Sequence, residues 1–218
     1  MKRILLLSIL FSTVAFTSCR KHRLRGEGAT ISDTRYVSNF TKIVADGSTA
    51  IEIRPSNENR VVVTGYESLI PAYETETHEG VLRLQFKDKY INIKNNNLRV
   101  TVYSKDVNTI KLNGSGSVTI DDDMKSSYME AEINGSGSVT IGDNHFDKMK
   151  LKINGSGDIE SRRGVGEDVE TIISGSGDIN ITAENTLYAK ISGSGTVYYW
   201  GNPSVSTDIS GSGKVRKQ

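Results

Sequence analysis

The tripeptide Gly-Ser-Gly recurs six times in the second half of this 218-residue chain, at 114–116, 135–137, 155–157, 175–177, 193–195 and 211–213. The first glycines stand 21, 20, 20, 18 and 18 residues apart. A near-constant period of about 20 is the length of one coil of a solenoid. Take the first glycine of each motif as zero. Two positions before it stand Leu112, Ile133, Ile153, Ile173, Ile191 and Ile209. Four positions after it stand Val118, Val139, Ile159, Ile179, Val197 and Val215. Apolar residues alternate with period two on both sides of the motif, the mark of half-buried strands. Each coil therefore reads as strand, Gly-Ser-Gly corner, strand and looser turn. Stacked coils place the aliphatic columns above one another around a dry core, between parallel sheets.

Each glycine costs roughly 0.5–1 kcal/mol of chain entropy against alanine. The inward aliphatic side chains return on the order of 1.5–3 kcal/mol each. Twelve of the 21 glycines sit in these motifs, so a steric need at the corner explains them better than a flexible linker does. The outward column three before the zero glycine runs Lys111, Glu132, Lys152, Ile172, Lys190, Asp208. Its mostly alternating signs describe a solvated face, with cross-strand pairs worth a few tenths of a kcal/mol.

The fold class is thus all-β, a parallel β-helix with coils of about 20 residues and an atypical β-rich N-terminal cap. Residues 26–218 read as one domain, with divergent coils or cap over 26–105 and regular coils over 106–218. Residues 41–53 fit the same register as a degenerate coil with Gly47 as zero. Strands are predicted at 60–64, 81–86, 90–93 and 98–103. Tyr66 to His78, with Pro71 inside, is read as a loop or short helix. At the far end Lys214, Arg216 and Lys217 discourage edge-to-edge pairing.

The N-terminus reads as an export signal over 1–18. Lys2 and Arg3 precede an apolar run from Ile4 to Phe16, too short to span a bilayer as a helix. Cys19 is the only cysteine and has no partner for an intramolecular disulfide. Placed after Phe16-Thr17-Ser18, it resembles the lipobox of bacterial lipoproteins, with Phe16 where leucine is usual. Lipidation at Cys19 would anchor the mature chain to membrane. Residues 19–25 then form a basic tether, either lying against anionic headgroups or solvated.

Chemistry is sparse. The net charge of +1 gives no reason to expect nucleic acid. His22, His78 and His145 lack partners at zinc spacing, and His145 is read as an exposed turn residue. No Gly-x-Ser-x-Gly elbow lies between a strand and a helix. Asp158 and Asp178 follow successive corners, so stacking brings their carboxylates together, where a Ca²⁺ would relieve repulsion. Their equivalents Ser117, Ser138, Thr196 and Lys214 do not continue that ladder, which favours solvated turn carboxylates. A catalytic cluster of Asp158, Asp178, Glu160, Arg162 and Arg163 competes with reading 162–166 as an inter-coil turn. By parity Tyr188 and Tyr198 point outward and Tyr199 inward. The two outward rings form a candidate ligand face for glycan stacking or protein contact, unless they pack against the turn near Pro203.

Asn39-Phe40-Thr41-Lys42-Ile43, Asp46-Gly47-Ser48-Thr49-Ala50-Ile51-Glu52-Ile53, Gly80-Val81-Leu82-Arg83-Leu84 and the repeated Asn/Ser-Gly-Ser-Gly corners follow in order. Together they resemble the auto-transporter adhesin head GIN domain family of Bacteroidetes, over about residues 35–215. The resemblance implies a right-handed β-helix at the cell envelope, outer membrane included, and brings no catalytic residues. The expected function is a non-enzymatic envelope lipoprotein with an adhesin-like binding domain for glycan or envelope protein. The alternatives are a carbohydrate-active lyase or hydrolase on the same fold, or a scaffold subunit of an envelope complex. Oligomeric state is open.

Overall fold

A computed structural model describes residues 22–218. Their strands stack as parallel coils, and the corner glycines divide each coil into a leading and a trailing strand. The leading sheet runs Val81–Phe86, Lys42–Gly47, Thr109–Gly114, Tyr128–Gly135 and then the strands ending at Gly155, Gly175, Gly193 and Gly211. The trailing sheet runs Arg99–Ser104, Ala50–Pro55, Ser117–Ile120, Ser138–Ile141 and then the strands beginning at Asp158, Asp178, Thr196 and Lys214. A short third side pairs Asn144–Phe146 with Gly164–Gly166, and Val165 and Gly166 with Thr182 and Ala183.

The alternating pattern becomes the core as expected. Ile110, Ile133, Leu151, Ile153, Ile173, Ile179 and Ile191 are fully buried. The column six after the zero glycine contains one serine, Ser161, also fully buried. Its Oγ donates to the Gly164 carbonyl at 3.1 Å, which makes a polar atom tolerable among isoleucines.

The corner glycines have a direct steric cause. All six first glycines take φ between +116° and +139°. At Gly175, a Cβ would also collide with the carbonyl of Gly155 in the preceding coil. Gly47 shares the positive φ, at +104°, but an added Cβ would meet nothing within 4 Å. The neighbouring strand Val81–Phe86 pairs only with residues 42–45 before this corner. In the sequence Gly47-Ser48-Thr49, Thr49 replaces the second glycine and is itself buried, 3% exposed.

The degenerate coil at 41–53 is therefore real, with Gly47 opposite Gly114 and Ile51 opposite Val118. Its position is unexpected. It lies between the coil made by 81–104 and the coil made by 109–120, so stacking order departs from chain order. Antiparallel strands complete this end. Thr30–Tyr36 pairs with Arg60–Tyr66, which pairs with Arg99–Ser104, and Tyr73–His78 pairs with Val81–Phe86.

Three expectations need correction. Residues 66–78 are only partly irregular: Ile70–Ala72 form a 3₁₀ turn, and Tyr73–His78 is a strand. Its one fully buried large side chain, Tyr73, packs edge-on against Phe86 with centroids 5.1 Å apart. The last four tether residues, His22–Arg25, pair as a strand parallel to Tyr90–Lys94, and His22, Arg23 and Arg25 stay exposed to solvent. Residues 162–166 lie inside the continuous strand Asp158–Gly175, where the register shifts, and His145 lies in the strand Asn144–Gly155. The Cys19 site and the signal segment lie outside the described residues.

Candidate functional site

Between the aliphatic columns and the corner runs a ladder of amides. Asn113 Nδ2 donates to Asp46 Oδ1 at 2.6 Å, Asn134 Nδ2 to Asn113 Oδ1 at 2.8 Å, and Asn154 Nδ2 to Asn134 Oδ1 at 2.8 Å. These residues hold the corners in register.

Asp158 and Asp178 are brought to consecutive coils, as the spacing requires, and each carboxylate already has a backbone partner. Asp158 Oδ1 accepts the Asp178 N–H at 3.0 Å, and Asp178 Oδ1 accepts the Thr196 N–H at 2.8 Å. In neighbouring coils the same N–H is met by a corner carbonyl, as from Ser138 to Gly116 and from Asp158 to Gly137. The two aspartates thus replace a main-chain acceptor where the ladder is interrupted. Among the described residues, no group of three or more His, Cys, Asp or Glu side chains is placed to hold a metal.

The residues of the catalytic alternative also have local partners. Glu160 accepts the backbone N–H of Arg162 at 3.0 Å, and the Arg162 guanidinium lies 5.5 Å from the Trp200 ring centre. Arg163 reaches across to Asp122 at 2.9 Å. That bond and the backbone N–H of Asp143 hold the Asp122 carboxyl below its ordinary value, the N–H contributing more. His145 lies 3.3 Å from Glu167 on the exposed surface.

Tyr188 and Tyr198 do point outward, but on different sheets. Tyr188 stands opposite Ser206 on the leading sheet, whereas Tyr198 stands between Asn180 and Arg216 on the trailing one. The corner at Gly193 separates them, so they form no common face. Tyr188 instead shares its face with Tyr128, three strands away, about 14 Å at the usual strand spacing. The two rings are 38% and 36% exposed, respectively. A shallow groove of about 480 Å³ runs between them, crossed by Lys148, Lys150, Asp168, Glu170 and Thr186. Lys150 Nζ meets Glu170 at 2.9 Å, and Thr186 donates to Asp168 at 2.7 Å. The Tyr128 hydroxyl donates to Glu130 at 3.1 Å. Partial burial and that bond both raise its pKa, burial more, so the ring stays neutral. Tyr128 was legible in principle: it stands seven before Gly135, on the outward parity.

A coiled stack of parallel strands with about 20 residues per turn defines the class of parallel β-solenoids. The sequence profile described as "Putative auto-transporter adhesin, head GIN domain" matches residues 39–171 and 145–203. Those matches cover well over half of the chain, and the chain belongs to this family. Solved structures with the same fold include a protein described as a putative adhesin from Bacteroides fragilis, 20% identical, with a TM-score of 0.69 over 89% of this chain and 100% of that one. One from Parabacteroides distasonis, described as a putative lipid binding protein, is 23% identical, with a TM-score of 0.63 over 90% and 100%. Another, described as a putative adhesin from Parabacteroides merdae, is 21% identical, with a TM-score of 0.59 over 90% and 99%. No curated protein matches the chain. Among the described residues, no helix is long and apolar enough to cross a membrane.

Proposed function

We propose that this chain is an exported, non-enzymatic, adhesin-like protein, lipidated at Cys19, that engages a protein partner at the cell envelope. The observation that carries the reading is the face between Tyr128 and Tyr188. Tyrosine gives large contact area at low entropy cost, and ion-paired lysines and carboxylates around it suit the polar rim of a protein interface. The adhesin descriptions of the family and its structural neighbours support a binding role. The apolar run before Cys19 supports export, and acylation there would hold the coils at a membrane surface.

The test uses the purified mature chain and envelope vesicles. Saturable retention should fall at least tenfold in Tyr188→Ala and Tyr128→Ala, and protease treatment of the vesicles should abolish it. Retention that survives both the substitutions and the protease sinks the reading. Incorporation of a labelled palmitate analogue, lost in Cys19→Ser, checks the anchor separately.

A further inference from the structure

The strands His22–Arg25 and Tyr90–Lys94 form a two-stranded sheet of their own, apart from the sheet that carries the coils. Hydrogen bonds fix its first strand to the body at both ends. The His22 N–H donates to the Lys89 carbonyl at 2.8 Å, and the Gly26 N–H to the Lys94 carbonyl at 2.9 Å. Ser68 Oγ donates to the Arg25 carbonyl at 3.1 Å, and Asn95 Nδ2 to the Gly26 carbonyl at 2.8 Å. Leu24 and Ile93 stand opposite one another and pack against the core. Period-two alternation then sends Arg23, Arg25 and Lys94 outward, and all three are exposed.

That outer face concentrates positive charge. Arg25 stands directly opposite Lys94, an arrangement of like charges that costs stability unless an anion lies over it. Lys87 and Lys89 precede the second strand, and Lys89 Nζ lies 5.1 Å from the centre of the Tyr90 ring. The acidic residues of these segments are Glu27, 3.4 Å from Arg25, and Asp88. Over 22–27 and 87–95 together, five Lys and Arg stand against two Asp and Glu. The remaining described residues hold 18 against 24. Positive charge is thus gathered on one small sheet of an otherwise acidic body.

We infer that this sheet docks on a bilayer surface bearing anionic headgroups. The occupant follows from where the chain leads. Cys19 stands three positions before His22, so at most about 11 Å of extended chain separates the strand from an acyl anchor. That step rests on the reading of Cys19 as the lipidated residue. A basic face held so close lies within reach of lipid phosphates, which supply the charge that Arg25 and Lys94 lack. Tyr90, half-buried, has the amphipathic ring that suits headgroup depth. Acylation alone sets the distance to the membrane and leaves orientation open. The second strand lies in the chain between Val81–Phe86 and Arg99–Ser104, so docking also fixes how the end coil meets the surface.

Co-sedimentation with vesicles tests this, using the mature chain carrying Cys19→Ser, which has no acyl group. The vesicles are mixed phosphatidylglycerol and phosphatidylcholine at low ionic strength, with pure phosphatidylcholine as the neutral control. The chain should sediment saturably with the anionic vesicles alone, and added salt should release it. Arg25→Glu should cut partitioning at least about tenfold. Its thermal midpoint should be no lower, because the introduced carboxylate faces Lys94, which separates a lost contact from a lost fold. Lys94→Gln should cost about fivefold. Lys214→Glu, on the last strand of the stack, should change little. Sedimentation with neither vesicle, equal sedimentation with both, or a loss in Lys214→Glu matching that in Arg25→Glu overturns the proposal. Palmitate labelling and protease-sensitive retention at physiological salt are read separately, so this proposal and the proposed function can each fail alone.

Discussion

The regular coils and the N-terminal end are built from the same alternating strands, yet they are held by different kinds of contact. From Thr109 onward, each coil meets partners about 20 residues away, and the same contact repeats: aliphatic on aliphatic, glycine on glycine and, as far as Asn154, amide on amide. At the other end the joining contacts are long-range and mostly unique. Lys42–Gly47 meets Thr109–Gly114 across 67 residues, and Arg35 reaches Ile70, Tyr73 and Thr75 at once. A repeated contact is stable because it is copied; a unique contact needs its own set of hydrogen bonds. The first leaves a period in the sequence and the second leaves almost none.

Glycine gives the widest contrast between the two regions. Gly175→Ala should cost about 3 kcal/mol or more, combining left-handed backbone strain with a collision against the Gly155 carbonyl. Gly47→Ala should cost only the strain, about 1 kcal/mol, because space is open on its side. Denaturant midpoints measure both. Equal losses would mean that coil crowding is not what selects the second-half glycines.

The next effect belongs to the N-terminal end. Arg35 donates to the carbonyls of Tyr73 and Ile70 at 2.7 and 2.9 Å and pairs with Asp33 at 2.8 Å. Arg35→Ala should destabilise by about 1–3 kcal/mol, since mostly buried acceptors lose a charged donor. Hydrogen exchange should rise first in residues 70–78 and not in the regular coils. Uniform acceleration along the whole chain would contradict a separable cap contact.

Within the coils the amide ladder should be worth less per rung. Asn134→Ala breaks its bonds to Asn113 and Asn154 and should cost about 1–2 kcal/mol. The same substitution at Ser192, where the ladder residue is a serine exposed to solvent, should change little. Chemical denaturation of the two variants side by side checks this.

The smallest effect is electrostatic. Burial would push the Glu132 carboxyl up, but hydrogen bonds from Asn134 and Lys111, with the charges of Lys111 and Lys152, outweigh it and hold the pKa below the ordinary 4.5. A lowered folded pKa means that the contribution is complete above about pH 4.5 and is lost as pH falls through the folded value. Stability should therefore decline on that acid limb, by under about 1 kcal/mol for this residue. Glu132→Gln should flatten its share of the decline.

What could be read from the sequence follows the same division. The columns at Leu112, Ile133 and Ile153 and the corner at Gly47 were legible because period-two burial and a fixed corner repeat many times. The strand Tyr73–His78 was not, since an antiparallel edge strand buries one large residue and carries Glu and Thr elsewhere, just after a proline. The insertion of 42–55 between later coils leaves no local mark at all. For the candidate sites, parity gave the outward direction of Tyr188 and Tyr198 but ignored the corner between them, which turns the chain from one sheet to the other. Asp158 and Asp178 were correctly paired in space. Their backbone bonds depend on a gap in the main-chain ladder that spacing alone does not show. The recess lined by Asn39, Asn57 and Asn59 joins asparagines from separate turns, and only the crossing of chain passages brings them together.

Because each regular coil rests on its neighbour through the same contacts, adding or removing one changes little except height. One strand spacing, about 4.8 Å, is the step. A duplication or deletion of some 20 residues in register would move whatever lies beyond it by that amount, leaving the N-terminal end untouched. The molecule behaves as a ruler with its zero fixed at the residues around Gly47. The distance between the two ends of the stack is therefore set by the number of coils.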